Sequence, residues 1–128
     1  MCTETRFLIC KHCGNIVGLI HNAGVKIQCC GQAMEELIPN TTEASQEKHL
    51  PVAEIKNNLV KVQIGSQPHP MTEEHHIEWV YLQSTQGGQR KCLASQGKPE
   101  VVFALTENDK AEAIYAYCNL HGLWKTEL

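Results

Sequence analysis

Residues 7–31, FLICKHCGNIVGLIHNAGVKIQCCG, bring four cysteines, Cys10, Cys13, Cys29 and Cys30, into one short segment. Gly14, Gly18, Gly24 and Gly31 cut it into apolar pieces such as Phe7-Leu8-Ile9 and Val25-Lys26-Ile27, which leaves room only for brief strands. About 36 residues cannot bury enough apolar surface to offset chain entropy unaided. A crosslink through the cysteines is therefore a physical requirement, and residues 1–37 are expected to form a small β-rich metal-bound unit.

In Cys10-Lys11-His12-Cys13 two thiolates converge on one ion across a tight turn. Cys29 and Cys30 are less ordinary, because adjacent side chains of an extended strand point to opposite faces. Both reach one metal only if the backbone turns between them, which predicts a distorted tetrahedron. Four thiolates suit zinc and iron alike, so ligand type does not separate an iron site from a structural zinc knuckle. A disulfide pairing is the third reading; the odd count of seven cysteines and the lack of a secretion-like apolar start weigh against it. His12 is read as a solvent-facing residue of the knuckle.

A polar stretch, Pro39-Asn40-Thr41-Thr42-Glu43-Ala44-Ser45-Gln46, follows, and the domain boundary is placed there, with a second unit over 38–128. Period-two alternation recurs in it: Val60, Val62 and Ile64, then Ile77, Trp79 and Tyr81, then Val101, Phe103 and Leu105, each set assigned to one strand face. Turn signals at Asn57-Asn58, Gly65-Ser66, Gly87-Gly88, Gly97-Lys98-Pro99 and Glu107-Asn108-Asp109 separate them. The pattern predicts a mainly β chain whose second unit is an antiparallel β-sandwich of about seven strands.

With 128 residues, a net charge of -3 and a pI near 6.1, the chain has no basic run dense enough to track nucleic acid. No apolar stretch is long enough to span a bilayer, and the protein is read as cytoplasmic.

The second unit carries a further set of metal-binding residue types: His49, His69, His75, and the pair in Cys118-Asn119-Leu120-His121. A thiolate and an imidazole three residues apart on a tight loop can share an ion. Blue copper also uses one Cys and two His at the end of a sandwich, with a weak axial Met. Here no methionine follows Cys118, the last being Met71, and the surplus histidines would go unused.

The ordered motifs Cys-x-x-Cys, Cys-Cys, Glu47-Lys48-His49, Pro68-His69-Pro70-Met71, His75, Ile77-Glu78-Trp79 and Cys118-Asn119-Leu120-His121-Gly122 resemble the desulfoferrodoxins, two-iron superoxide reductases, over essentially the whole chain. The resemblance implies a desulforedoxin-like domain, related to rubredoxin, with iron on Cys10, Cys13, Cys29 and Cys30. It implies an immunoglobulin-like sandwich whose second iron has His49, His69, His75 and His121 as equatorial ligands and Cys118 as axial ligand. Glu47 falls on the glutamate that fills the sixth position in the ferric state, and Lys48 on the lysine that attracts superoxide. The implied reaction is one-electron reduction of superoxide to hydrogen peroxide, with an external donor such as rubredoxin, in a homodimer.

His76 follows His75 directly, where an aromatic residue is common in the family. The spacing from His69 keeps His75 as the ligand, and strand alternation sends His76 the other way. Glu78, Asn119 and Tyr117 are candidates for orienting the ligands. Cys2 and Cys92 match no ligand position, and Cys92 is expected to pack as a small hydrophobe.

Overall fold

The structure, a computed structural model, describes residues 4–128, so Cys2 lies outside the described residues. It divides into two compact units, Met1–Ile38 and Pro39–Leu128.

In the first unit β1 (Phe7–Ile9) is the middle strand of a three-stranded antiparallel sheet between β2 (Ile16–Gly18) and β5 (Glu35–Glu36). β3 (Gln28–Cys29) and β4 (Gln32–Ala33) form a separate hairpin. Among the described residues of the unit Phe7 and Cys10 are the buried apolar ones, whereas Ile20 and Val25 are largely exposed. A core this small supplies little hydrophobic stabilisation, so the burden falls on the cysteines.

The second unit begins with a single helical turn, α1 (Gln46–His49), followed by seven strands: β6 (Pro51–Lys56), β7 (Leu59–Ile64), β8 (Ile77–Ser84), β9 (Gly87–Cys92), β10 (Glu100–Ala104), β11 (Ala111–Cys118) and β12 (Gly122–Glu127). They make two antiparallel sheets, β10-β7-β6 and β12-β11-β8-β9. Val60, Val62, Ile64 and Phe103 from the first sheet and Ile77, Val80, Leu82, Ile114, Ala116 and Cys118 from the second fill one core between them. The chain is the mainly β, sandwich-bearing protein that its periodicity predicts, and Val101 and Leu105 pack against the core beside Phe103 as expected.

Strand β8 departs from the expected faces. Ile77 lies in the core, but so do Val80 and Leu82, while Trp79 stacks on Tyr117 and Tyr81 meets Tyr115 edge-on. The reason is a register shift against β11 between Tyr117 and Cys118: Tyr117 pairs with Trp79, but Cys118 pairs with Ile77. The irregularity inverts the alternation along β8, so that Ile77 faces the core with Val80 and Leu82, while β11 keeps its own phase with Ile114, Ala116 and Cys118 inward. The Gly87-Gly88 turn signal is also displaced, since Ser84 pairs with Gly87 across Thr85-Gln86 and both glycines lie in β9.

That turn is tied down by Asp109, whose carboxylate accepts hydrogen bonds from the Ser84 and Thr85 hydroxyls, both at 3.0 Å, and from the Gln86 amide at 3.1 Å. Partial burial pushes its carboxyl up, but these donors and the Lys110 amide outweigh it and hold the group below the usual carboxylate range. A depressed folded-state pKa contributes stability above the unfolded carboxylate value, which is lost as pH falls through the folded value. Asp109→Ala is therefore expected to lower the urea unfolding midpoint at pH 7, with the difference from the parent shrinking as pH falls below the usual carboxylate range.

Candidate metal centres

In the first cluster the ligand atoms of Cys10, Cys13, Cys29 and Cys30 all lie within 4.8 Å of one another. The turn expected between the adjacent cysteines is present. Cys30 and Gly31 both have positive φ, 53° and 74°, in a two-residue loop that joins β3 to β4. Two left-handed residues in succession make the tight hairpin turn that swings Cys30 back beside Cys29, and an L-residue takes that conformation only at a cost.

The Cys13 and Cys29 sulfurs are 3.7 Å apart. Thiolates about 2.3 Å from a tetrahedral ion stand about 3.8 Å from one another, whereas a disulfide needs about 2.05 Å. All six described cysteines are free, so the disulfide reading fails. The Cys13 amide, aided by that of His12, holds Cys10 down at about 6, while hydrogen bonds with Cys13 and Cys10 push Cys30 up to about 12. Four sulfurs this close cannot all ionise without a cation to share their charge.

The second cluster forms at one end of the sandwich. β11 and β12 are joined by Asn119-Leu120-His121, closing on the Cys118–Gly122 pair, so Cys118 and His121 emerge on the same short hairpin loop. His121 Nδ1 is 3.8 Å from the Cys118 sulfur, which also accepts a hydrogen bond from the His121 amide at 3.4 Å. His49 ends α1, His69 follows β7, and His75 precedes β8. The ligand atoms of His49, His75, Cys118 and His121 are mutually within 4.8 Å, and His69 joins them at the His49 corner.

The four imidazoles make a closed ring. Centroid separations run 4.6 Å from His49 to His69, 4.6 Å to His75, 5.0 Å to His121 and 4.9 Å back to His49, with neighbouring planes 76–88° apart. The His49–His75 diagonal is 6.2 Å. His49 Nε2 stands 3.2 Å from His69 Nε2 and 3.1 Å from His121 Nδ1. Nitrogens about 2.1 Å from one ion and cis to each other are about 3.0 Å apart.

Proton bookkeeping decides whether a metal fits. His49 Nδ1 donates to the Ser45 carbonyl at 2.7 Å and His69 Nδ1 to the Pro70 carbonyl at 2.6 Å, and a carbonyl can only accept. A neutral imidazole has one N–H, so both Nε2 atoms turn lone pairs toward each other. Burial holds His49 low and His69 down at about 4, so neither gains a second proton at neutral pH. His75 Nε2 is buried with no hydrogen-bond partner at all. Lone pairs converging without a proton between them need a cation. Cys118, fully buried, has its thiol pushed up by that burial against the pull of the His121 and Leu120 amides, and a cation would favour its thiolate.

Asn119 is the clamp of this end of the sandwich. Its side chain donates to the Glu74 carbonyl and accepts from the His76 amide, both at 2.9 Å, and so ties the hairpin carrying Cys118 and His121 to the segment carrying His75. Of the other candidates for orienting ligands, Tyr117 stacks on Trp79, and the Glu78 carboxylate is 4.0 Å from His76 Nε2. His76 turns away from the ring toward the Thr72 carbonyl, 2.9 Å from its Nδ1.

Glu47 and Lys48 are exposed on α1, with Lys48 near enough for its charge to lower His49 and His75 further. The Glu47 carbonyl accepts from the Gln67 amide at 2.9 Å, and the Gly65 amide donates to the Leu50 carbonyl at 3.0 Å. A Cβ at Gly65, whose φ is +87°, would collide with the Gln67 carbonyl and the Glu47-Lys48 backbone. Cys92, expected to be packed inside, is exposed, with the Arg90 guanidinium 3.0 Å from its sulfur. β9 is an edge strand, and on it Cys92 faces solvent.

Sequence reasoning missed Trp124. Its buried indole stacks on His49, centroids 4.9 Å apart and planes at 30°, and its Nε1–H donates to the His121 carbonyl at 3.1 Å. The available signal was its place in β12 three residues after His121.

Asn119→Ala is expected to weaken metal retention by the histidine ring by about ten- to a hundred-fold, the usual loss on removing a group that orients ligands. Competition with a chelator, followed by metal analysis of each site, measures it.

A desulfoferrodoxin family model matches residues 41–127. The chain is 42% identical over 118 residues to a desulfoferrodoxin of Syntrophotalea carbinolica, covering 92% of each chain. It is 39% identical over 100 residues to a superoxide reductase of Pyrococcus horikoshii, covering 64% of this chain and 86% of that one. The crystal structure of the superoxide reductase from Treponema pallidum superposes with a TM-score of 0.83 at 39% identity, over 98% of this chain and all (100%) of that one. The all-thiolate cluster and the imidazole-thiolate cluster are the places for two iron ions per chain, and by sequence, fold and paired metal sites this chain belongs to the desulfoferrodoxin family.

Proposed function

We propose that the chain is a superoxide reductase that converts superoxide to hydrogen peroxide at the second cluster. The ring of four imidazoles beside one buried thiol carries this reading. Four imidazole nitrogens and one sulfur would leave an ion that takes six ligands one position for a small ligand from solvent. A filled tetrahedral thiolate shell, as in the first cluster, leaves none. The residues that would hold this ion are His49, His69, His75, His121 and Cys118; Cys10, Cys13, Cys29 and Cys30 would hold the other. Relatives named superoxide reductase support the activity.

Each superoxide consumed takes up one electron and two protons. Iron held in the ring would supply the electron, and an external donor would replace it. The remaining work belongs to the chain. The protein's net charge of -3 repels an anion, so capture depends on the exposed Lys48 ammonium beside the ring. Water held at that ammonium brings the protons. Burial keeps His49, His69 and His75 unprotonated and ready to ligate. Glu47, next to Lys48 on α1, is the carboxylate of the same segment that would close that position.

In domain terms residues 1–37 form a desulforedoxin-like iron domain and 38–128 the reductase domain. The same reading carries a homodimer, a small rubredoxin-like electron donor and a cytoplasmic setting.

Rapid mixing of the reduced protein with superoxide tests the proposal: stoichiometric bleaching or appearance of the ring iron's visible bands supports it, and no oxidation overturns it. Lys48→Ile is expected to slow the bimolecular step roughly ten-fold, as loss of local steering does, and to flatten its dependence on ionic strength. Cys13→Ser is expected to abolish metal binding in the first unit while superoxide is still reduced within about two-fold of the parent rate, because the first shell has no room for substrate; the same stopped-flow assay with site-specific metal content checks this.

A further inference from the structure

We propose that Trp124 is a positioning residue for the imidazole ring, holding two adjacent corners, His49 and His121, from behind through one indole. The inference rests on the reading of the ring as an iron site and adds a residue to it that the motif pattern does not contain.

The geometry is specific. His49 has its Nδ1 anchored to the Ser45 carbonyl, which fixes one point of the ring but leaves rotation about that hydrogen bond. The indole face, 4.9 Å away at 30°, closes off that rotation. His121 offers Nδ1 inward from a three-residue loop, and such a loop is free to tilt unless its carbonyls are held. The Trp124 Nε1–H takes the His121 carbonyl at 3.1 Å, so the same side chain sets the height of that loop. His49 and His121 come from segments 72 residues apart, yet their nitrogens must be held 3.1 Å from each other.

Trp124 can do this because it is itself immobile. It lies in β12 opposite Ala116 of β11, whose small side chain belongs to the core, and it is the largest fully buried side chain of the described residues. β12 is in turn anchored on its outer edge by Asn40, which accepts from the Lys125 amide at 2.8 Å and donates to the Leu123 and Lys125 carbonyls at 3.0 and 3.1 Å. The indole thus transmits the position of a rigid strand to two ring corners.

Two substitutions separate the two contacts. Trp124→Phe keeps an aromatic face against His49 but frees the His121 carbonyl; Trp124→Leu removes both contacts while keeping an apolar side chain. Each iron-loaded protein is compared with the parent for unfolding midpoint, for the thiolate-to-iron absorption band of the oxidised form, and for the rate at which a chelator removes the ring iron. The expected result is a shifted band and iron release about ten-fold faster in Trp124→Phe and up to about a hundred-fold faster in Trp124→Leu, with the first-cluster spectrum unchanged. If Trp124→Leu fails to fold, Trp124→Phe alone decides. Unchanged band and release rate in folded Trp124→Phe overturn the inference. Failure of the parent itself to hold iron in the ring would instead remove the reading on which the inference rests.

Discussion

Neutral imidazoles whose lone pairs face each other at about hydrogen-bond distance repel, and only a cation at their centre makes the arrangement favourable. Much of the end of this sandwich follows from that constraint. The Ser45 and Pro70 carbonyls take the outer protons of His49 and His69 and so commit the inner nitrogens to the metal. Asn119 joins the hairpin of Cys118 and His121 to the segment of His75. The Gly65 turn packs without a side chain against the segment bearing Glu47, Lys48 and His49. Each of these contacts keeps in place a ring that would otherwise open.

The two metal centres stand in opposite relations to folding. In the first unit the metal takes the place of a core: Phe7 and Cys10 are buried, and Ile20 and Val25 remain exposed. Binding free energy there is folding free energy. In the second unit ten residues from both sheets already make a closed core, and the histidine ring is an addition at its end. Metal held by a prebuilt scaffold can keep an unfilled position for chemistry, whereas metal that must hold a small domain together is best surrounded completely.

Charge is arranged locally. The chain carries more acids than bases, and the ring's protein ligands supply one negative charge, that of the Cys118 thiolate. Cys118 is buried beneath the core face of β11, whereas Lys48 is exposed on α1. A small anion arriving from solvent can therefore meet the Lys48 ammonium but not the Cys118 sulfur. Cys118 faces inward in phase with Ile114 and Ala116 of β11, and the irregular pairing of β8 sets Ile77 beside it.

Much was readable from the chain alone, for a physical reason: residue types that bind metal are few, and their spacing survives without coordinates. The cysteine quartet, the need for a turn between Cys29 and Cys30, the mainly β pattern and the pairing of Cys118 with His121 follow from local chemistry and period, whereas the full histidine set comes from the family resemblance. What the tertiary structure decided depends on contacts between distant segments. Alternation in β8 fails because a register shift is set by the partner strand, and Cys92 is exposed because its strand lies at a sheet edge. The ring geometry and the stacking of the Trp124 indole on His49 arise only when segments from His49 to Trp124 are folded onto one another. No periodicity or motif in one segment carries the position of another.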